Sequence, residues 1–158
     1  MEKLSVLFVC MGNICRSPTA FSIFKTLVDE CSLSDTFKLD SAGTHAYNVG
    51  SSPDRRSTLA AEDRGIDLGD QKARVVTSED LATCDYIIAM DSKNLRDLKD
   101  ACPRDRRGHI HLLLDFAGPE TPDDVPDPYL GEGDGFGRVF DLIEAGCHGL
   151  FEKILATE

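Results

Sequence analysis

The stretch Leu4-Ser5-Val6-Leu7-Phe8-Val9-Cys10-Met11-Gly12-Asn13-Ile14-Cys15-Arg16-Ser17-Pro18 decides how the rest of the chain is read. Leu4–Val9 is an almost unbroken apolar run, which suits a strand buried on both faces. Gly12 and Asn13 interrupt it with residue types that tolerate left-handed backbone. Ser17 reads as a helix cap and Pro18 as the first helical residue, where its missing N–H costs nothing. A buried strand turning through a short glycine-containing loop into a helix is the opening unit of a parallel α/β sheet.

The same alternation repeats downstream. A helix from Pro18 to about Cys31 brings Ala20, Phe24, Leu27, Val28 and Cys31 to one face. Phe37–Ser41 is the next strand, followed by a polar loop and a helix at Ser57–Arg64 that Gly65 stops. Ser78 caps a short helix over Glu79–Thr83, Asp85–Met90 is a third buried strand, and Ser92–Ala101 is helical up to Pro103. His109–Leu114 is a fourth strand. Residues 115–135 form a long Gly/Pro/Asp-rich loop, and the last helix starts near Asp134 with Phe136, Phe140, Ile143, Cys147, Leu150 and Ile154 at helical spacing. The pattern predicts one α/β domain over residues 1–158, with a small, mostly parallel sheet of about four strands and helices on both faces. Ligand sites in such sheets lie beyond the carboxyl ends of the strands, where residues 10–18 fall.

Charge and composition narrow the classes of partner. With 17 Lys and Arg against 28 Asp and Glu, the formal charge over 158 residues is −11. That excludes the basic stripe a nucleic-acid or anionic-membrane binder uses. Apolar runs such as Val6–Cys10 fall far short of the roughly 18 residues of a membrane span. Met1-Glu2-Lys3 leads into a short apolar stretch with no cleavage site, so no signal peptide is expected. The six cysteines are scattered without a C-x-x-C pair, as reduced core thiols of a cytoplasmic protein would be.

The loop after the first strand has the makings of an anion cradle. Backbone N–H groups curled around a strand-to-helix turn form a nest for phosphate oxygens, and the helix N-terminus beneath adds partial positive charge. Arg16 contributes a planar fork that matches two oxygens of a phosphate. A cysteine in that field is expected as a thiolate, so Cys10 is the candidate nucleophile. No G-x-G-x-x-G and no G-x-x-x-x-G-K-[ST] is present, so nucleotide binding has no residues to carry it. No Cys or His pair has zinc spacing, and no metal or cofactor is expected.

The run from Val6 to Pro18 resembles the signature of the low-molecular-weight protein tyrosine phosphatases. The likeness continues through Asp40-Ser41-Ala42-Gly43-Thr44, Ile87-Ile88-Ala89-Met90-Asp91 with Asn94-Leu95-Arg96-Asp97-Leu98, and Asp127-Pro128-Tyr129. The resemblance implies a metal-free, two-step hydrolysis of aryl phosphates on tyrosine-phosphorylated proteins. Cys10 would attack phosphorus, Arg16 and the loop amides would hold the phosphate oxygens, and Asp127 would act as general acid and then base. It also implies that Ser17 bonds the Cys10 sulfur, that Asn13 and Ser41 keep the loop's shape, and that Met11, Gly12 and Ile14 complete it. Cys15 would trap oxidised Cys10 as a reversible disulfide. Tyr47, Tyr129 and Leu130 would wall the substrate crevice. His45 reads as a solvated rim residue, and a monomer with weak self-association is expected.

Three positions depart from the resemblance. Leu130 stands where many relatives have a second tyrosine, Gln71 where many have a loop-supporting histidine, and Arg55 where proline is common. Two other activities share the loop. Protein arginine phosphatases carry threonine where this chain has the apolar Ile14. Arsenate reductases need two further cysteines close together, and Cys84 and Cys102 are eighteen residues apart.

Overall fold

The computed structural model describes residues 2–128 and 135–157. Strand β1 (Leu4–Cys10) lies between β2 (Phe37–Gly43) and β3 (Tyr86–Ala89), and β4 (Ile110–Leu112) pairs outside β3. All three pairings are parallel, giving a four-stranded sheet in the order β2-β1-β3-β4. The connections are helical: α1 (Arg16–Glu30), α2 (Arg55–Glu62), α3 (Ser78–Thr83) and α4 (Ser92–Ala101), with α5 (Gly135–Thr157) closing the chain.

The two-residue period of β1 divides the core into two layers. Val6, Phe8 and Cys10 face α1 and α5, packing with Ile23, Phe24, Phe140, Ile143 and Leu150. Leu7 and Val9 face the other way, onto Ile87, Ala89, Leu81 and Leu98 below α3 and α4. Phe24 anchors the first layer, with ring centroids 5.5 Å from Phe8 and 5.6 Å from Phe151. Each such buried side chain contributes about 1.5–3 kcal/mol of transfer free energy. At Gly149 in α5 a Cβ would stand 1.7 Å from the Phe116 carbonyl, so only glycine lets α5 lie this close to the turn after β4.

The order of strand addition reverses at β1, since β2 lies on one side and β3 on the other. The carboxyl ends of β1 and β3 therefore flank a crevice.

Several local expectations are corrected. Helix α1 begins at Arg16 after Cys15, with no side-chain cap, so Ser17 is not the cap and Pro18 is the third helical residue. Cys31 is exposed rather than on the core face, and Ile23 takes part in the core instead. Helix α2 starts two residues before the expected Ser57, because Asp54 accepts from the Arg56 N–H and caps it there. Thr77, not Ser78, caps α3, sharing a capping box with Asp80. Strand β4 stops at Leu112, and Leu113–Phe116 coils into a 3-10 turn. Among the described residues no helix is long and apolar enough to cross a membrane.

Candidate active site

The loop from Cys10 to Arg16 curls over the carboxyl end of β1. Asn13 takes a left-handed conformation, φ 57°, which its short polar side chain tolerates. None of the backbone N–H groups from Met11 to Ser17 finds an acceptor among the described residues. They are left as a ring of donors at the mouth of α1, the arrangement an anion satisfies.

Four polar side chains, Asn13, Ser17, Ser41 and Gln71, support that curl. The Asn13 amide donates to Ser17 Oγ at 2.8 Å and to Ser41 Oγ at 3.0 Å, and its carbonyl accepts from the Arg74 N–H at 2.9 Å. Ser17 Oγ is 3.0 Å from Cys10 Sγ. Ser41 donates to Gln71 Oε1 at 3.3 Å, while Gln71 Nε2 donates to the Pro18 and Leu68 carbonyls and to Ser22 Oγ. Glutamine thus joins the support of the loop at the position where the resemblance expected histidine.

Gly43 at the end of β2 makes room for the same loop. A Cβ there would lie 2.7 Å from the Met11 carbonyl oxygen and 3.2 Å from the Asn13 nitrogen, both backbone atoms that cannot swing away. The next two N–H groups, of Thr44 and His45, donate to the Cys10 and Met11 carbonyls at 2.9 and 3.0 Å. Loop and β2 exit are therefore one hydrogen-bonded unit.

Arg16 is nearly enclosed and reaches across the crevice to Asp91, Nη1 to Oδ2 at 2.6 Å, and to the Val125 carbonyl at 3.0 Å. Burial works against its charge, but the fields of Cys10, Asp91 and Asp127 outweigh that and push its pKa above the ordinary value. Asp91 also caps α4, its Oδ1 accepting from the Asn94 N–H at 2.7 Å. Sequence reasoning gave Asp91 no role. The available signal was an aspartate just past a strand adjacent to β1, three residues before Asn94.

The long acidic loop is pinned to this crevice at Val125, whose N–H donates to the Met90 carbonyl at 2.8 Å while its own carbonyl receives Arg16. Asp124 is occupied with the Ser92 N–H and hydroxyl. Asp127, two residues beyond the pin, lines a cavity of about 350 Å³ together with Cys10 and Arg16. Met11, Gly12, Ile14 and Cys15 form its floor, and Tyr47 and Asn48 one side. Asn48 was also missed; its amide donates to the Gly12 carbonyl at 3.4 Å. The expected walls Tyr129 and Leu130 lie outside the described residues.

Cys15 is buried beside Cys10, and the Ser57 hydroxyl donates to its sulfur at 2.8 Å. Burial pushes its thiol up to about 12, against the smaller opposing effect of Ser57. All six cysteines are free. Cys84 precedes β3 and Cys102 follows α4, so both lie at the opposite end of the sheet from Cys10. Among the described residues no three His, Cys, Asp or Glu side chains gather as a metal site would require.

The family model described as low molecular weight phosphotyrosine protein phosphatase matches residues 5–158. This chain belongs to that family. The pig low molecular weight phosphotyrosine protein phosphatase is 41% identical over 152 residues, 95% of either chain. The Bacillus subtilis low molecular weight protein-tyrosine-phosphatase YfkJ is 40% identical over 96% of both chains. A crystal structure of YfkJ superposes with a TM-score of 0.94 at 38% identity, covering 100% of this chain and 98% of that one. A Drosophila arginine phosphatase structure is more distant, at 32% identity, with a TM-score of 0.83 and coverage of 94% and 96%. As a member of the low molecular weight phosphatase family, the chain builds its phosphate-type loop on Gln71 and on the Asp91 partner of Arg16.

Proposed function

We propose that residues 1–158 act as one domain, a protein tyrosine phosphatase that hydrolyses phosphotyrosine through a phosphocysteine intermediate. One observation carries the reading. A cysteine and a buried arginine from one loop and an aspartate from a second, distant loop line one cavity, above backbone N–H groups that find no acceptor among the described residues.

The Cys10 sulfur attacks phosphorus in line with the aryl oxygen. Arg16 and the loop amides bind the three other oxygens and hold the charge that spreads over them. The Asp127 carboxyl gives its proton to the departing phenolate as the phosphorus–oxygen bond breaks. A water then attacks the phosphocysteine and loses its proton to the Asp127 carboxylate. The phosphorus–sulfur bond breaks, releasing inorganic phosphate, and the Ser17 hydroxyl beside Cys10 stabilises the returning sulfur charge. No step calls for a metal or cofactor. Peroxide would convert Cys10 to a sulfenic acid, which the neighbouring Cys15 thiol would condense with, expelling water and forming a reversible disulfide.

The apolar Ile14 in the cavity floor supports an aryl ester over a guanidinium. Phosphotyrosine proteins are thus the proposed substrates, with the protein acting in the cytoplasm as a monomer. The test is hydrolysis of p-nitrophenyl phosphate, a phosphotyrosine peptide and a phosphoarginine peptide. Cys10→Ser should abolish turnover, Arg16→Ala should cripple it, and Asp127→Ala should lower kcat by roughly 10²–10⁴-fold. A wild type inactive on aryl phosphates, or a Cys10→Ser variant at full rate, would overturn the proposal. Preference for phosphoarginine would transfer it to the arginine phosphatases.

A further inference from the structure

Tyr47 stands on the side of the cavity with 75% of its surface exposed. A ring that open has little packing to hold it in one orientation. It is held from behind by His45: the two rings are stacked, with centroids 5.3 Å apart and planes 7° from parallel. His45 itself is half-buried and outside the cavity lining. Its Nδ1 shares a 2.7 Å hydrogen bond with Thr44 Oγ1, and its backbone N–H is fixed to the Met11 carbonyl of the loop. Thr44 is fixed in the same way to the Cys10 carbonyl. A continuous set of contacts therefore joins the backbone of the Cys10 loop to the Tyr47 ring.

We propose that His45 is a positioning residue for the aryl group of the substrate. Its ring braces Tyr47 as a ready-made wall at a set height above the phosphate cradle. The proposal rests on the phosphatase reading and adds to it a residue that never touches substrate. Flat rings pack best in offset or edge-to-face geometry, so a wall of fixed tilt favours a planar aryl ester. A wall that must be ordered at each binding event weakens affinity by about 2- to 10-fold, the cost of immobilising one side chain. Inorganic phosphate engages the loop alone and does not reach Tyr47, so its affinity should not register the brace.

The experiment measures kcat and KM for a phosphotyrosine peptide, and Ki for inorganic phosphate, in wild type, His45→Ala, His45→Phe, Tyr47→Ala and the His45→Ala/Tyr47→Ala double variant. His45→Ala should raise KM by about 2- to 10-fold with a smaller change in kcat and an unchanged phosphate Ki. His45→Phe, which still stacks, should recover most of the loss. In the Tyr47→Ala background, adding His45→Ala should raise KM no further. The proposal is overturned if His45→Ala leaves KM unaltered, if phosphate Ki rises in step with KM, or if the two substitutions multiply. A wild type that hydrolyses no aryl phosphate would instead defeat the underlying phosphatase reading, and these ratios with it. With an active wild type, the ratios judge His45 alone.

Discussion

Removing the carboxylate of Asp91 should destabilise the protein far more than an average surface substitution. Arg16 is 4% exposed and Asp91 19%, and they meet at 2.6 Å. Deleting one member of a buried pair costs about 3–5 kcal/mol, because the other charge stays behind without its partner. Arg16 keeps the Val125 carbonyl and the fields of Cys10 and Asp127, which places the loss near the low end, about 3 kcal/mol. Asp91 also caps α4 through Asn94, a contribution of about 1 kcal/mol.

Asp91→Ala should therefore lose about 4 kcal/mol, and Asp91→Asn, which keeps a capping oxygen, about 3. In a chain of this length the alanine variant should melt roughly 8–16 °C lower. Urea unfolding followed by circular dichroism reads the free energies, and calorimetry the Tm. A loss for Asp91→Ala below about 1 kcal/mol, the range of an exposed ion pair, would refute the argument that this pair compensates the buried charge of Arg16.

Two further outcomes follow from the geometry. Gly43→Ala places a methyl 2.7 Å from the Met11 carbonyl, so the loop must shift. Overpacking of this kind costs about 1–3 kcal/mol, and kcat/KM for an aryl phosphate should fall at least about 10²-fold, whereas wild-type kinetics would show that the loop yields freely. Burial alone would raise the Asp80 carboxyl, but Arg74 and the Thr77 donors outweigh it and hold it below the usual carboxylate range. A depressed folded pKa gives stability present above the unfolded value near 3.9 and lost as pH falls through the folded one. Asp80→Asn should cost about 1 kcal/mol at neutral pH in urea unfolding, a gap that closes below about pH 4; a gap unchanged at low pH would contradict it.

Much of the fold was legible because its signals are local. The apolar run of β1, the turn residues Gly12 and Asn13 and the helical spacing of α5 act over a few residues, and strands alternating with helices imply parallel crossovers; the strand order itself comes from the fold. Helix starts were read less well, because caps compete: Asp54, ahead of the expected start at Ser57, takes the Arg56 N–H, and Thr77, ahead of the expected cap Ser78, takes the Asp80 N–H. Ser17 looked like a cap and is instead drawn inward to Cys10 and Asn13, a choice set by what lies beneath it.

By itself the sequence determined the strand-loop-helix unit, the placement of a cysteine and an arginine six residues apart in one curl, and an acidic loop holding one candidate proton donor among seven acids. The tertiary structure brings Asp127 to the cavity that Cys10 lines. Val125 bonds Met90 and Arg16 and so sets Asp127 at the cavity, while Asp124 is spent on Ser92. Tertiary structure alone also gave Arg16 its partner Asp91, put Gln71 under the loop and stacked His45 on Tyr47. Of these contacts, those of Asp91 and Gln71 join residues 30 to 75 positions apart in the chain. No local preference encodes them; they exist because parallel strands bring the carboxyl ends of β1, β2 and β3 to one edge, where buried polar groups must find one another or lose their hydrogen bonds to water.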